Sequence, residues 1–158
     1  RTTLHWISPP SFVTKDIRQS VNVVGQPNEI TVSMEIAYLA HPIDNRTVIT
    51  ISGLSGAIVN GSTVSLLQAA GGNSAESLFC LEGAPATAAW ASDGLELRVC
   101  DGMELAMFTL YSFKFAITNP DSPRSSGDIK IEANGLQVVT QSSMTKPSGK
   151  VENQTYFE

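Results

Sequence analysis

The chain has 158 residues, about the length of one domain. Hydrophobic residues make up 42% of it, charged residues only 16%, and the formal net charge is −5. The hydrophobic content argues against intrinsic disorder, and the negative charge argues against a nucleic-acid partner. The longest apolar stretch, residues 105–117, is interrupted by Lys114 and several hydroxyl groups, so no membrane span is predicted. A folded domain with so few charged residues needs an explanation. Burial of its surface by neighbouring subunits would provide one, and glycans that cover the surface would provide another.

The chain contains two cysteines, Cys80 and Cys100. Two cysteines alone cannot form a structural zinc site, which takes four ligands, and the only histidines are His5 and His41. The pair is either two buried thiols or a disulfide. A disulfide would close a loop of about 20 residues and contribute roughly 3 kcal/mol to stability.

Sequons for N-glycosylation occur at Asn45, Asn60 and Asn153, each in a segment typical of a loop. Both sequons and a disulfide are typical of secreted or cell-surface proteins, so the sequons favour the disulfide. We therefore predict an extracellular glycoprotein that carries covalent N-glycans. The start at Arg1, without Met or a signal peptide, is interpreted as that of a processed chain.

In chain order, the predicted elements are strands, because apolar residues recur with a period of two and no window has a helical stripe. The apolar positions of these runs are Ile30, Val32, Met34, Ile36 and Tyr38, then residues 48–51 and 64–67, then Leu95, Leu97 and Val99, then Met107, Thr109, Tyr111, Phe113, Phe115 and Ile117, and finally Ile129, Ile131 and residues 136–139. Asn-Gly or Asp-Gly pairs at residues 60–61, 93–94, 101–102 and 134–135 predict hairpin turns between them. Short strands separated by such turns predict an all-β sandwich.

The sequence contains no convincing catalytic constellation. Residues 53–57 have the wrong spacing for a nucleophile elbow, and neither His5 nor His41 has an acid or a nucleophile nearby in sequence. We predict no enzyme activity, no cofactor and no metal site. Trp90 and Tyr156 could stack on sugar rings, although a Trp that packs in the core is the simpler interpretation of Trp90.

Residues 3–7 form a short strand-like segment that Pro9 and Pro10 separate from the body of the domain. This segment carries the apolar side chains of Leu4, Trp6 and Ile7, which are poorly suited to remain in water. It either folds back onto its own sheet or adds a strand to another subunit, where backbone hydrogen bonds would supply the affinity.

Several stretches resemble the repeat of very large cell-surface proteins of algae and related protists. They are residues 11–20 and 28–34, which are similar to the opening of the repeat, residues 48–56, residues 111–120 and 129–133, which are similar to its later strands, and residues 143–147, which are similar to its closing motif. The likeness covers residues 11–147 and implies an immunoglobulin-like β-sandwich with a structural or adhesive role outside the cell. It carries no catalytic residues.

The repeats of this family usually occur in tandem, whereas this chain has one unit with additional residues at both ends. We therefore divide the chain into an N-terminal strand or connector (1–10), a β-sandwich domain (11–147) and a C-terminal extension (148–158). The leading hypothesis is a structural subunit of an extracellular fibre or coat, in which residues 3–7 complete the sandwich of a neighbouring copy, so that its partners are copies of itself. The alternative is a carbohydrate-binding or adhesive module.

Overall fold

The computed structural model describes residues 8–122 and 128–146, and these form an all-β sandwich of antiparallel sheets. The strands are β1 (Ser11–Gln19), β2 (Pro27–Ala37), β3 (Thr47–Ser52), β4 (Thr63–Ser65), β5 (Leu67–Gln68), β6 (Asn73–Ser74), β7 (Cys80–Leu81), β8 (Ala84–Pro85), β9 (Thr87–Ala91), β10 (Gly94–Arg98), β11 (Tyr111–Thr118), β12 (Lys130–Gly135) and β13 (Val139–Ser143). Within the described ranges, the helical element is a single 3-10 turn, Glu76–Leu78. The predicted fold class is thus confirmed.

Two sheets form the layers of the sandwich. Sheet I has the order β1-β2-β11-β5, with the short β6 also paired to β11, and sheet II has the order β13-β12-β3-β10-β9-β4. The sets β1-β2-β11-β5 and β3-β12-β13 reproduce the A-B-E-D and C-F-G sheets of immunoglobulin-type sandwiches. Strands β10, β9 and β4 extend sheet II beyond that pattern, and β7 and β8 form a separate hairpin.

The core lies between the sheets and follows from the alternation in the sequence. Ile30, Val32, Met34 and Ile36 of β2 are buried, as predicted for one face of a strand. Strand β11 pairs with β2 along its whole length and adds further buried side chains from the same sheet. Sheet II contributes the buried residues Ile49, Ile51, Leu95, Leu97, Ile131 and Ala133.

Two of the predicted strands are shorter than their alternation suggests. Strand β2 ends at Ala37, and Tyr38 is 49% exposed with a φ of 63°. Strand β11 begins only at Tyr111, so Met107 and Phe108 lie in the preceding turn, where Phe108 has a φ of 56°. A left-handed residue cannot continue a strand, which explains why the period of two misled the prediction at both places.

The Asn-Gly and Asp-Gly pairs mark turns, but only some of them lie at hairpins. The pair at 93–94 joins β9 to β10 and the pair at 134–135 ends β12 before β13, and in each case the two strands are paired. The pairs at 60–61 and 101–102 instead precede strands that do not pair with the preceding strand, so the hairpin prediction is wrong there. Local turn chemistry reverses the chain, whereas packing decides which strand comes to lie beside which.

Cys80 and Cys100 are joined in a disulfide, the outcome that the sequons favoured. The bridge connects β7 to the segment that follows β10, where the Cys100 amide also donates to the Leu78 carbonyl oxygen. Within the described part of the chain, no helix is long and apolar enough to cross a membrane. Leu4, Trp6, Ile7, Asn153 and Tyr156 lie outside the described residues.

Candidate functional site

The two ends of the sandwich carry most of the exposed large apolar side chains. One end, here called the aromatic end, consists of residues 38–46, 99–110 and 136–138, which leave or enter β2, β3, β10, β11, β12 and β13. The other, called the valine end, consists of residues 20–26, 53–62 and 119–122. These loops lie far apart in sequence, and the strand order of the two sheets gathers them at opposite ends.

The rings of Tyr38 and Phe108 form the centre of the aromatic end. Their centroids are 5.6 Å apart with an interplanar angle of 84°, which is a favourable edge-to-face arrangement. Tyr38 is 49% exposed and Phe108 is 58% exposed. The neighbouring loops add further exposed apolar side chains, which are Met103, Met107, Leu136 and Val138.

Backbone hydrogen bonds fix the loops that carry these rings. The Phe108 amide donates to the Ile36 carbonyl oxygen (2.8 Å), which ties the second aromatic residue to the end of β2. Ile43 and Leu105 exchange two backbone hydrogen bonds of 3.1 and 2.7 Å, and both side chains are buried. The loop after β2 and the loop before β11 therefore form one unit rather than two independent loops.

Polar and charged groups lie around the apolar centre. Arg46 binds Asp44 through its guanidinium, with a closest N–O distance of 2.6 Å, and also through its backbone amide. These bonds lower the pKa of Asp44 to about 2, so the carboxylate stays ionised at neutral pH. The pair is exposed and adds little to stability.

The sequon at Asn45 is engaged in hydrogen bonds at this end. The Asn45 Nδ2 donates to Asp101 Oδ1 (2.7 Å), and the Asn45 carbonyl oxygen accepts from the Arg98 guanidinium (2.8 Å). The hydroxyl of Thr47, the third residue of the sequon, is buried and accepts from the Gln137 amide (3.1 Å). All three contacts join the loop before β3 to a neighbouring loop or strand.

At the valine end, a pair of buried asparagines holds the loop between β1 and β2. Asn28 Nδ2 donates to Asn119 Oδ1 (2.8 Å), and Asn28 Oδ1 accepts from the amides of Ser20 and Val21. Asn119 Nδ2 in turn donates to the carbonyl oxygens of Val21 (3.2 Å) and Val23 (2.9 Å). Both asparagines are 1% exposed, so this network orders the loop from inside.

The outer surface of the valine end is apolar and poor in charge. Val23, Val24 and Ile58 are exposed by 52%, 40% and 46%. Ile58 exchanges backbone hydrogen bonds with Thr118, and the adjacent Asn119 binds the loop that carries the valines, so the three side chains belong to one end. Residues 20–26 and 53–62 contain no charged residue, as is typical of interface cores, whereas the third loop carries the exposed Asp121 beside Gly25.

The described chain enters the sandwich at the aromatic end and leaves towards the valine end. Ser11, the first residue of β1, pairs with Ala37 at the aromatic end, so residues 8–10 precede the domain there. After β13, Thr145 forms a parallel bridge with Asp16 of β1, and therefore runs towards the valine end. β13 is the last strand of sheet II, and just beyond it the backbone of Thr145 is hydrogen-bonded to Lys15 and Ile17 of β1.

The predicted site residues do not converge. Trp90 is partly buried and packs against the core, so only part of its indole is available to a sugar. Asn60 is exposed in the loop before β4, and His41 is exposed in the loop after β2. A shallow depression of about 330 Å³ lies on sheet I beside the Lys114–Glu29 ion pair, and it contains none of the predicted site residues. In residues 8–122 and 128–146, no three His, Cys, Asp or Glu side chains gather as metal ligands would.

Sequence reasoning missed the most prominent surface feature, the pair of Tyr38 and Phe108. Tyr38 continues the alternation of β2, and Phe108 lies inside a run that also reads as a strand. A clue was available in the dense apolar and aromatic residues on both sides of Phe108, in a run longer than a typical strand.

The chain has no close counterpart among the proteins it was compared with: no family model matches it, and no curated protein is significantly similar to it. Two similar solved structures are of a GH20 exo-β-N-acetylglucosaminidase from Vibrio harveyi, one an inactive mutant and one in complex with N-acetylglucosamine. Each covers 88% of this chain at 14% identity with a TM-score of 0.40. This chain spans 18% of the length of those structures. A likeness of this degree carries no argument about function.

Proposed function

We propose that this protein is a structural subunit of an extracellular fibre or surface coat. Its copies join end to end without covalent bonds, and residues 3–7 of one copy add a strand to the sandwich of the next. The observation that carries the proposal is the position of the two chain exits, one at the aromatic end and the other towards the valine end. Copies connected through these exits follow one another in a line.

Two further observations support this arrangement. β13 is an edge strand of sheet II, and its sequence contains no charge or proline, which is suited to strand addition. Both ends of the sandwich expose clustered apolar side chains. A contact between unlike surfaces that does not close into a ring generates a filament.

Negative-stain microscopy of the purified full chain tests the proposal directly. We expect filaments from the full chain and soluble monomers after deletion of residues 1–8. Deletion of residues 147–158, at the opposite exit, is the matched control and leaves the filaments intact. Filaments that persist without residues 1–8 exclude strand donation by this segment, and a full chain that stays monomeric at all concentrations excludes the structural role.

The proposed location outside the cell rests on the disulfide and on the sequons. In a secretory host we expect a glycan on Asn60, which is exposed, and a lower occupancy at Asn45, whose amide is held by Asp101. Mass spectrometry of glycopeptides measures both sites in one experiment. Equal occupancy at the two sites would contradict this reading of the Asn45 hydrogen bonds.

A further inference from the structure

The aromatic end and the valine end differ in the chemistry that they expose. The first presents two rings with flexible thioether side chains beside them, and the second presents three branched aliphatic side chains. Single exposed apolar residues are ordinary on protein surfaces, whereas clusters mark interaction sites. Aromatic residues and Met are also enriched in the cores of protein interfaces.

The backbone at the aromatic end is strained in a way that keeps its rings exposed. Tyr38 and Phe108 both have a left-handed φ, which is unfavourable for bulky side chains. The hydrogen bond from Phe108 to Ile36 and the pairing of Ile43 with Leu105 maintain this conformation. The two rings contact each other and remain about half exposed. The strained backbone therefore places them where they can contact another molecule, and not in the core of the domain.

The reach of the N-terminal segment limits where a neighbouring copy can lie. Residues 8–10 link the proposed donor strand 3–7 to β1, and these three residues span at most about 11 Å when fully extended. Strand β2, with eleven residues, gives the sandwich a length of roughly 37 Å. Because residue 8 lies near the aromatic end, a strand formed by residues 3–7 reaches the edge of another sandwich only if that sandwich lies directly against this end.

We propose that the aromatic end of one copy packs against the valine end of the next copy. This inference rests on the proposed function, because the occupant follows from the line of the two chain exits and from the short link between residues 3–7 and β1. Tyr38 and Phe108 contact Val23, Val24 and Ile58 of the neighbour, and the loops that carry these three side chains, residues 20–26 and 53–62, contain no charged residue. The contact is heterologous, so each copy keeps one free end for further growth.

Three single substitutions in the full chain test the contact: Phe108→Asp, Val23→Asp and Leu67→Asp. Asp tolerates the left-handed backbone at position 108 better than most residues, and Val23 lies in an exposed loop, so both variants are expected to fold. Leu67 is an exposed apolar residue (42%) on the side of the sandwich, and it serves as the matched control. Thermal melting establishes folding, and Val24→Asp replaces Val23→Asp if the latter melts early.

We expect Phe108→Asp and Val23→Asp to raise the protein concentration needed for filaments by about tenfold or more, as for the loss of an interface hot spot. Leu67→Asp leaves that concentration unchanged. In an equimolar mixture of the two end variants, the intact aromatic end of Val23→Asp still packs against the intact valine end of Phe108→Asp. Sedimentation then detects dimers that contain one copy of each variant. Such mixed dimers distinguish a contact between unlike ends from pairing of two aromatic ends.

The other outcomes each overturn a defined part of the reasoning. Wild-type filaments together with unimpaired end variants overturn the contact but leave the proposed function standing. Dimers of Val23→Asp alone, without mixed dimers, assign the aromatic end to a symmetric pair and also overturn it. Filaments that form only after Asn60→Gln would mean that a glycan covers the valine end in place of a second copy. Wild-type protein that remains monomeric overturns the proposed function and the contact together.

Discussion

Replacement of Asn119 by Ala should destabilise the domain substantially, although the residue lies beside a loop. Its side chain makes three hydrogen bonds, one from Asn28 and two to the carbonyl oxygens of Val21 and Val23, and it is 1% exposed. At about 1 kcal/mol net for each hydrogen bond, the loss is about 3 kcal/mol. For a domain of this size, that lowers the melting temperature by roughly 6–12 °C.

The assay is thermal unfolding followed by circular dichroism, with Asn22→Ala as the control. Asn22 lies in the same loop and takes no part in the network, so its replacement should leave the melting temperature almost unchanged. Asn119→Asp keeps the shape of the side chain but directs a carboxylate at two carbonyl oxygens, so it should destabilise more than Asn119→Ala at pH 7. Its burial raises the pKa of the new carboxyl group, and the stability of this variant should therefore recover as the pH falls.

A melting temperature of Asn119→Ala within about 2 °C of the parent would refute this reasoning, because the substitution would then lower the free energy of unfolding by less than 1 kcal/mol. It would mean that the loop carbonyls find water at no cost when the amide is removed. Equal effects of Asn119→Ala and Asn22→Ala would lead to the same conclusion. The burial of both asparagines predicts the opposite.

Three further predictions concern other parts of the domain. Gly94→Ala should prevent stable folding, because a Cβ there would lie 2.1 Å from the Ile51 carbonyl oxygen across the β3–β10 pair, and the yield of soluble protein measures this. Replacement of both Cys80 and Cys100 by Ala should lower stability by about 3 kcal/mol, by the chain-entropy estimate for a loop of about 20 residues, and reductant should lower the melting temperature of the parent but not of the variant. The low pKa of Asp44 means that its ion pair stabilises above the unfolded pKa near 4 and is lost as the pH falls towards 2, so Asp44→Asn should change the pH dependence of melting below pH 4 and leave it unaltered between pH 5 and 8.

Gly94 lies at a correctly predicted turn, but the structure requires a glycine there for a reason other than the predicted one. The Asp-Gly pair at 93–94 predicts a turn in which both residues have a positive φ. In the structure, the left-handed residue of this turn is Ser92 (φ 46°), while Gly94 is required because β3 passes too close for a side chain. The turn was therefore predictable from the sequence, but the reason for its glycine was not.

The sequence predicted the buried face of β2 because alternation along one strand is a local property. Ile30, Val32 and Met34 are completely buried, as their spacing requires. The same rule failed at Tyr38, where the chain turns through a left-handed conformation that no local pattern announces. The buried pair of Asn28 and Asn119 was also unpredictable, because 91 residues separate the two side chains.

By itself, the sequence determined the all-β class and the alternating faces of the long strands, and it favoured a disulfide between Cys80 and Cys100 over two buried thiols. These features depend on neighbouring residues or on there being only two cysteines. Only the tertiary structure decided that Tyr38 and Phe108 meet, and that the two chain exits lie towards opposite ends. Such features depend on the order of strands within the sheets, which is set by packing between segments far apart in the chain. The low charge of the chain thereby acquires a location, since two of the three loops of the valine end, residues 20–26 and 53–62, contain no charged residue.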